Sequence, residues 1–240
     1  MAMNTDILPN QAFKRHRYPK EVISHAVWAY YRFSMSLRDV EDLLAERGIQ
    51  VSYETIHCWV NKFGKYFAAY IRKNRPQASD KWPLDEVVLK IKGKTYYLWR
   101  AIDSNGDVLD VLAQPRRNTR AAMRFFRKLF ASFKKPRVII TDKLGSYGAA
   151  KRKCAPDIEH RKHKGLNNKI EVSHRHTRRR EKIMGRFKSL KHAQNFLSTH
   201  DQITCLFRPR RHTLSAISYR HSRTDAFAIW DDITLSLIHI

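Results

Sequence analysis

Asp85, Asp142 and Glu171 each sit where a carboxylate is hard to explain by packing alone. Asp85 lies inside a strand pattern, LDEVVLKIKG; Asp142 closes the apolar run RVIITD; Glu171 opens the cationic stretch NNKIEVSHRHTRRREK. The chain carries a formal net charge of +25. Three isolated acids beside basic sequence suggest a metal-dependent site acting on a nucleic-acid backbone. Cleaving or joining a phosphodiester requires an activated water or 3′-hydroxyl and stabilisation of an in-line pentacovalent state. Two Mg²⁺ ions about 3.5–4 Å apart serve both needs. Such hard cations take carboxylate oxygens together with substrate phosphate and retain several waters.

Each acid has an ordinary alternative. Alternation puts Asp85 on the same strand face as Val87, Leu89 and Ile91, with Glu86, Lys90 and Lys92 pointing the other way. Such an aspartate is costly unless a cation meets it, although a strand-end acid can also reach water. Asp142 falls at the carboxyl end of a central strand, where α/β sheets gather ligands, or it caps the turn before Gly145. Glu171 shares a helix face with Arg175 and Arg178, at spacings of four and seven, or forms a plain helix ion pair. For Glu181, surrounded by arginines, the ion pair is the preferred reading. Arg175, Arg178, Arg179 and Arg180 would hold the rest of the nucleic-acid backbone. Tyr147, near Asp142, reads as a packing residue.

The elements that must position these residues follow from pattern. Residues 1–66 read as three helices. Pro19 starts the first, with Val22, Ile23, Ala26, Val27, Tyr30 and Tyr31 on one stripe. Ser36 caps the second, with Asp39 as its box partner and Gly48 as its stop. Ser52 caps the third, whose Ile56, Trp59, Val60 and Phe63 face inward. The second and third form a helix-turn-helix candidate, the alternative being a plain three-helix bundle. In the DNA-binding reading Tyr53, Glu54, His57 and Asn61 face bases and Lys62 faces the backbone. Residues 67–81 lose periodicity, contain Pro76 and read as a connector. LDEVVLKIKG, KTYYLWRAID and DVLDVLAQ then form an antiparallel meander. A helix spans Asn118 to about Lys134, VIIT reads as a buried parallel strand, a weaker strand covers Ile158 to His160, and a long basic helix starts near Asn168.

Composition narrows the partner. Lys and Arg total 47 against 22 acids, an excess that points to a polyanion. It is clustered: between His160 and His192 there are 12 Lys/Arg and 2 acids, which favours a phosphate track. Cys58, Cys154 and Cys205 form no CxxC pair, so a reducing cytoplasm is expected. The N-terminus lacks the apolar core of a signal peptide, and no apolar run is long enough to span a bilayer. His160, His163, His174 and His176 lie near one another, but they lack finger spacing, and phosphate contact or simple solvation explains them better than zinc.

Several blocks together carry a resemblance: SLRDVEDLLAERGI, WPLDEVVLKIKG, YLWRAIDSNG, RRNTRAAMRFF, ITDKLGSY, GLNNKIEVSH and RFKS. Spread over roughly residues 15–200, they resemble the DDE transposases of small bacterial insertion sequences, in the IS-six family typified by IS twenty-six. The resemblance implies an α/β, ribonuclease-H-like core (residues 82–200) behind an all-α helix-turn-helix domain (1–66) and a connector (67–81). A C-terminal segment (201–240) follows. Asp85, Asp142 and Glu171 become the catalytic and metal-holding acids, with Mg²⁺ as cofactor and Mn²⁺ able to substitute. Glu171 follows the pair Asn167 and Asn168. Asn168 joins the DNA-contacting set, and the family's basic residue seven beyond the glutamate falls on Arg178.

The implied activity is binding of the inverted repeats, metal-dependent 3′-end cleavage and strand transfer into target DNA. It implies double-stranded DNA as partner, a homo-oligomer of at least two copies, and a cytoplasmic, nucleoid-associated location. The alternative is a transposase-derived DNA-binding regulator without catalysis, which would gain nothing from three clustered acids. Two features depart from the pattern. Only 28 residues separate Asp142 from Glu171, an interval shorter than in the best-known relatives. The closing ITLSLIHI matches no part of the family.

Overall fold

The computed structural model describes residues 13–142, 144–162, 168–209 and 214–235. They fall into two compact units, one formed by residues 1–74 with 199–240 and the other by 75–198.

The first unit is helical. Helix α1 (Lys20–Arg32) follows Pro19 and buries Ile23, Ala26, Val27, Tyr30 and Tyr31. Helix α2 (Leu37–Ala45) has the expected capping box: Asp39 N–H donates to Ser36 Oγ at 3.1 Å, and Ser36 N–H to Asp39 Oδ2 at 2.7 Å. It ends where Gly48, at φ +74°, takes the left-handed conformation that a side chain would strain. Helix α3 (Tyr53–Asn74) runs well past residue 66, so the first part of the expected connector is helical. The apolar stripe of Ile56, Trp59, Val60 and Phe63 continues through Phe67, Ala68 and Ile71, and the break comes only near Pro76.

The C-terminal residues are not a separate appendage. Helix α8 (Ala216–Leu235) packs within the helical unit, where Trp230 Nε1 donates to Ser24 Oγ at 2.9 Å. The Trp230 ring meets Phe67 edge-on at 4.9 Å.

The second unit is α/β. Strands β1 (Lys81–Ile91), β2 (Lys94–Ile102) and β3 (Val108–Gln114) form the expected antiparallel meander. Helix α4 (Thr119–Ser132) is capped by Asn118, whose side chain accepts from Ala121 N–H at 3.0 Å. Strand β4 (Val138–Thr141) is fully buried and pairs parallel with both β1 and β5 (Glu159–Lys162). Strand β5 thus begins one residue later than Ile158, which is buried in the core. Helix α5 (Gly145–Cys154) links β4 to β5, and α6 (Asn168–Ile183) and α7 (Leu190–Leu206) follow.

The sheet order β3-β2-β1-β4-β5, antiparallel in its first half and parallel in its second, is the ribonuclease-H arrangement. One core cluster joins Trp82, Leu84, Trp99, Phe125, Phe126, Leu129, Ile139 and Tyr147, so α4 and α5 pack on the sheet face that Trp82, Leu84 and Trp99 share. Helix α6 lies against β1 and β2.

Candidate active site

Two strands bring the acids together. β1 pairs Lys81, Trp82 and Pro83 with Val138, Ile139 and Ile140 of β4. Continued two residues, this register sets Asp85 level with Asp142, which leaves the end of β4 beside it. Oxygens of Asp85, Glu86 and Asp142 all lie within 4.8 Å of one another. Hard divalent cations take carboxylate oxygens, so the Asp85 and Asp142 pair fits such an ion.

The two aspartates are oriented by neighbours. Asp85 Oδ2 meets Nε2 of the buried His174, on α6, at 3.2 Å. Asp142 Oδ1 accepts the Leu144 N–H at 2.9 Å, so the turn-capping role considered for Asp142 coexists with its place in the acid cluster. Thr141, just before it, is held by His160, whose Nε2 lies 2.8 Å from the Thr141 hydroxyl.

Helix α6 is fastened by Arg100. This arginine stands opposite Asp85 in the β1–β2 pair and is 1% exposed. Its guanidinium donates to the Ser173 carbonyl at 2.9 Å, to Ser173 Oγ at 2.6 Å and to Thr177 Oγ1 at 2.5 Å. The same helix carries Glu171 one turn before His174, so the backbone brings the helix of Glu171 to the acid pair. The side chains of Glu171 and Asn168 lie outside the described residues.

The basic face of α6 divides. Arg175, Arg178 and Arg179 are exposed. Arg180 is not: it is 1% exposed and its guanidinium lies over the Phe196 ring at 5.5 Å. The expected phosphate contact at Arg180 is therefore corrected to a packing role. It shares the inward helix face of Ile170, His174 and Thr177, at helical spacing. Glu181 is half-buried, and burial pushes its carboxyl up while Arg178 and Arg186 oppose. Of the other histidines, His176 is exposed on α6 and His163 lies outside the described residues.

Reading the sequence alone missed Glu86, Arg117, Arg100 and His174 as parts of the site. Glu86 does leave β1 on the opposite face from Asp85, as alternation requires, yet the end of β4 is close to both. Its side chain is 1% exposed; Oε2 accepts the Tyr147 hydroxyl at 2.8 Å, and Oε1 accepts Arg117. Arg117 Nη2 also lies 3.5 Å from Asp142 Oδ2.

Burial pushes the Glu86 carboxyl above its usual range, against the pull of Tyr147 and Arg117. Burial, then the charge of Glu86, drives the Tyr147 phenol well up. For Arg117, burial acts downward, but Glu86 and then Asp142 outweigh it and raise the guanidinium. The visible signals were an arginine inside the apolar strand KTYYLWRAI and a second acid directly after Asp85.

The family model described as a DDE domain, of the IS240 transposase type, matches residues 79–210. The transposase for the insertion sequence-like element IS431mec of Staphylococcus aureus (strain Mu50) is 35% identical over 213 residues, covering 86% of this chain and 93% of that protein. The transposase for element IS257 in transposon Tn4003 of Staphylococcus aureus is 34% identical over the same length, with the same shares covered.

Among solved structures, the HTLV-2 integrase catalytic core with magnesium (dimeric form) aligns with a TM-score of 0.42 and 18% identity, over 55% of this chain and 88% of that one. The Mos1 mariner transposase catalytic domain aligns with a TM-score of 0.40 and 12% identity, over 74% and 93%. With the family model spanning more than half of the sequence and relatives matched over nearly their whole length, the chain belongs to the DDE transposases of bacterial insertion sequences, in the IS-six family.

Proposed function

We propose that this transposase binds the inverted repeats of its element, cleaves their 3′ ends and transfers those ends into target DNA. Asp85, Asp142 and Glu171 are its catalytic acids. The observation that carries the reading is the meeting of Asp85 and Asp142 across β1 and β4, with the Glu171 helix tied to the same strand by His174. These three acids would hold Mg²⁺, with Mn²⁺ able to take its place; when bound, the metal polarises the scissile phosphate and lowers the pKa of the attacking water or 3′-hydroxyl.

The chain's own groups prepare that chemistry. His174 fixes one oxygen of Asp85, and the Leu144 N–H fixes one oxygen of Asp142, which orients both carboxylates. Arg100 sets the position of α6 and hence of Glu171. Asn168, at the start of α6, and the exposed Arg175, Arg178 and Arg179 supply DNA contacts beside the site.

In the helical unit, α2 and α3 serve as a helix-turn-helix. Glu54, His57, Asn61 and Lys62 lie on the exposed face of α3, with Tyr53 at its start. Tyr53 is tied back to α2: its N–H donates to Glu41 at 3.2 Å, and Arg38 lies over its ring at 4.5 Å. Lys62, 2.9 Å from His16, is the backbone contact. A homo-oligomer of at least two copies fits the synapsis of two DNA ends. No described helix is long and apolar enough to cross a membrane, and a cytoplasmic, nucleoid-associated location fits the substrate.

The test uses a duplex carrying the element's own terminal DNA. Purified protein should nick it at the 3′ end with Mg²⁺ and not with EDTA. A protein that binds this duplex and leaves it intact in Mg²⁺ and Mn²⁺ would be a regulator and not a recombinase.

A further inference from the structure

We propose that Arg117 grips a non-bridging oxygen of the scissile phosphate, and that Glu86 is the anchor of Arg117 and not a metal ligand. The proposal rests on the Asp85–Asp142 site described above.

Glu86 is the third acid of the cluster by distance, but both its oxygens already have donors: Tyr147 on Oε2 and Arg117, through Nε and Nη2, on Oε1. Its side chain is 1% exposed, and the Tyr147 ring that supports it is wholly buried among Trp99 and Phe126. With three of its roughly four acceptor positions filled, two of them by the Arg117 guanidinium, this carboxylate is committed to Arg117 and Tyr147. Asp85 and Asp142 are less committed: Asp85 meets His174 on one oxygen, and Asp142 has the Leu144 N–H on Oδ1 and only a 3.5 Å ion pair to Arg117 on Oδ2.

Arg117 has the opposite character. It stands just before the Asn118 cap of α4, at the margin of the site, and 41% of its side chain is exposed. One edge of the guanidinium is spent on Glu86, with Nη2 turned toward Asp142 at 3.5 Å. The other edge, Nη1, meets no acceptor among the described residues. A guanidinium carries five donors in a rigid fork that matches phosphate geometry. An acid-lined cleft repels the phosphate it must receive, and a cation fixed at its edge by a buried carboxylate offsets that repulsion without reorganising. Glu86 and Tyr147 thus hold one edge of the arginine so that the other is aimed in advance.

The experiment uses the full-length protein and the end duplex with sulfur replacing one non-bridging oxygen at the scissile phosphate, each diastereomer separately. Arg117→Ala should slow cleavage of the all-oxygen duplex about ten- to hundredfold, the range for a charged hydrogen bond. One sulfur diastereomer should slow the wild type yet add little further loss in Arg117→Ala, because both changes remove the same contact. Glu86→Gln, which keeps the Tyr147 bond and the side-chain volume, should weaken the same coupling. Calorimetric Mn²⁺ affinity should be unchanged by Glu86→Gln and reduced by Asp142→Asn.

Losses that multiply for both diastereomers, or a wild-type rate in Arg117→Ala, would overturn the grip. A fall in Mn²⁺ affinity in Glu86→Gln matching that of Asp142→Asn would overturn the anchor. Cleavage by Asp142→Asn on the all-oxygen duplex tests the acid pair separately.

Discussion

At the scale of single residues, burial sorts groups that look alike in the sequence. Arg178, Arg179 and Arg180 are consecutive, but only the last is enclosed. Arg178→Ala should weaken DNA binding and reduce the salt slope of log K by about one unit, as expected for one lost phosphate contact. Arg180→Ala should leave that slope alone and lower the melting temperature instead. A titration at several salt concentrations, paired with thermal melts, separates the two; equal slope changes would mean that Arg180 also reaches DNA.

Glu86 provides a pH signature. Its folded carboxyl is raised above the ordinary value of 4.5 by burial first. The unfolded chain therefore loses this proton earlier, and the stability tied to the protonated form is lost as pH climbs from about 4.5 through the raised value. The melting temperature of wild type relative to Glu86→Gln should fall across that window. A relative melting temperature that stays flat or rises would show that Glu86 is ionised at no net cost.

At the scale of elements, helix α6 matters because it carries Glu171, the proposed third acid, and is tied to β1 and β2 through His174 and Arg100. Thr177→Val keeps the shape but removes an acceptor of buried Arg100, which should cost about 1–3 kcal/mol. For a chain of this size that lowers the melting temperature by roughly 2–4 °C per kcal/mol. The cleavage rate should fall further than stability accounts for, seen as a higher Mg²⁺ concentration for half-maximal rate. A melting shift without any change in Mg²⁺ dependence would limit Arg100 to holding the fold.

Elements with local signatures are legible in the sequence. The Ser36–Asp39 box, the Asn118 cap, the buried VIIT strand and the meander all depend on residues close in sequence. Asp85 within β1 and Asp142 just past β4 were legible for the same reason, since strand alternation and strand ends are local. The extension of α3 to Asn74 was hidden because a polar run, RKNRPQ, obscured a stripe that still continued through Phe67 and Ile71. Arg100, His174 and Arg117 act through partners tens of residues away, and no local pattern encodes such contacts.

At the scale of the whole molecule, the described residues divide into a helical unit that draws on both ends of the sequence and an α/β unit that holds the acids. The C-terminal residues form part of the helical unit through Trp230, buried against Phe67 and bonded to Ser24. Removing that side chain with Trp230→Ala should destabilise the helical unit by about 3–5 kcal/mol. End binding should then be lost at a lower temperature than Mn²⁺ binding by the acid site. Parallel loss of both would show that the units melt as one.

The central assignment is the choice of Asp85, Asp142 and Glu171 over the nearby Glu86 and Glu181. The most direct measurement is the Mg²⁺-dependent cleavage rate of the end duplex for Asp85→Asn, Asp142→Asn, Glu171→Gln and Glu181→Gln, with folding verified by circular dichroism. The first three should each lose about 10³-fold or more, comparable with removing a principal catalytic group, while Glu181→Gln stays near wild type. Wild-type cleavage by Asp142→Asn, or loss in Glu181→Gln with Glu171→Gln active, would contradict the assignment.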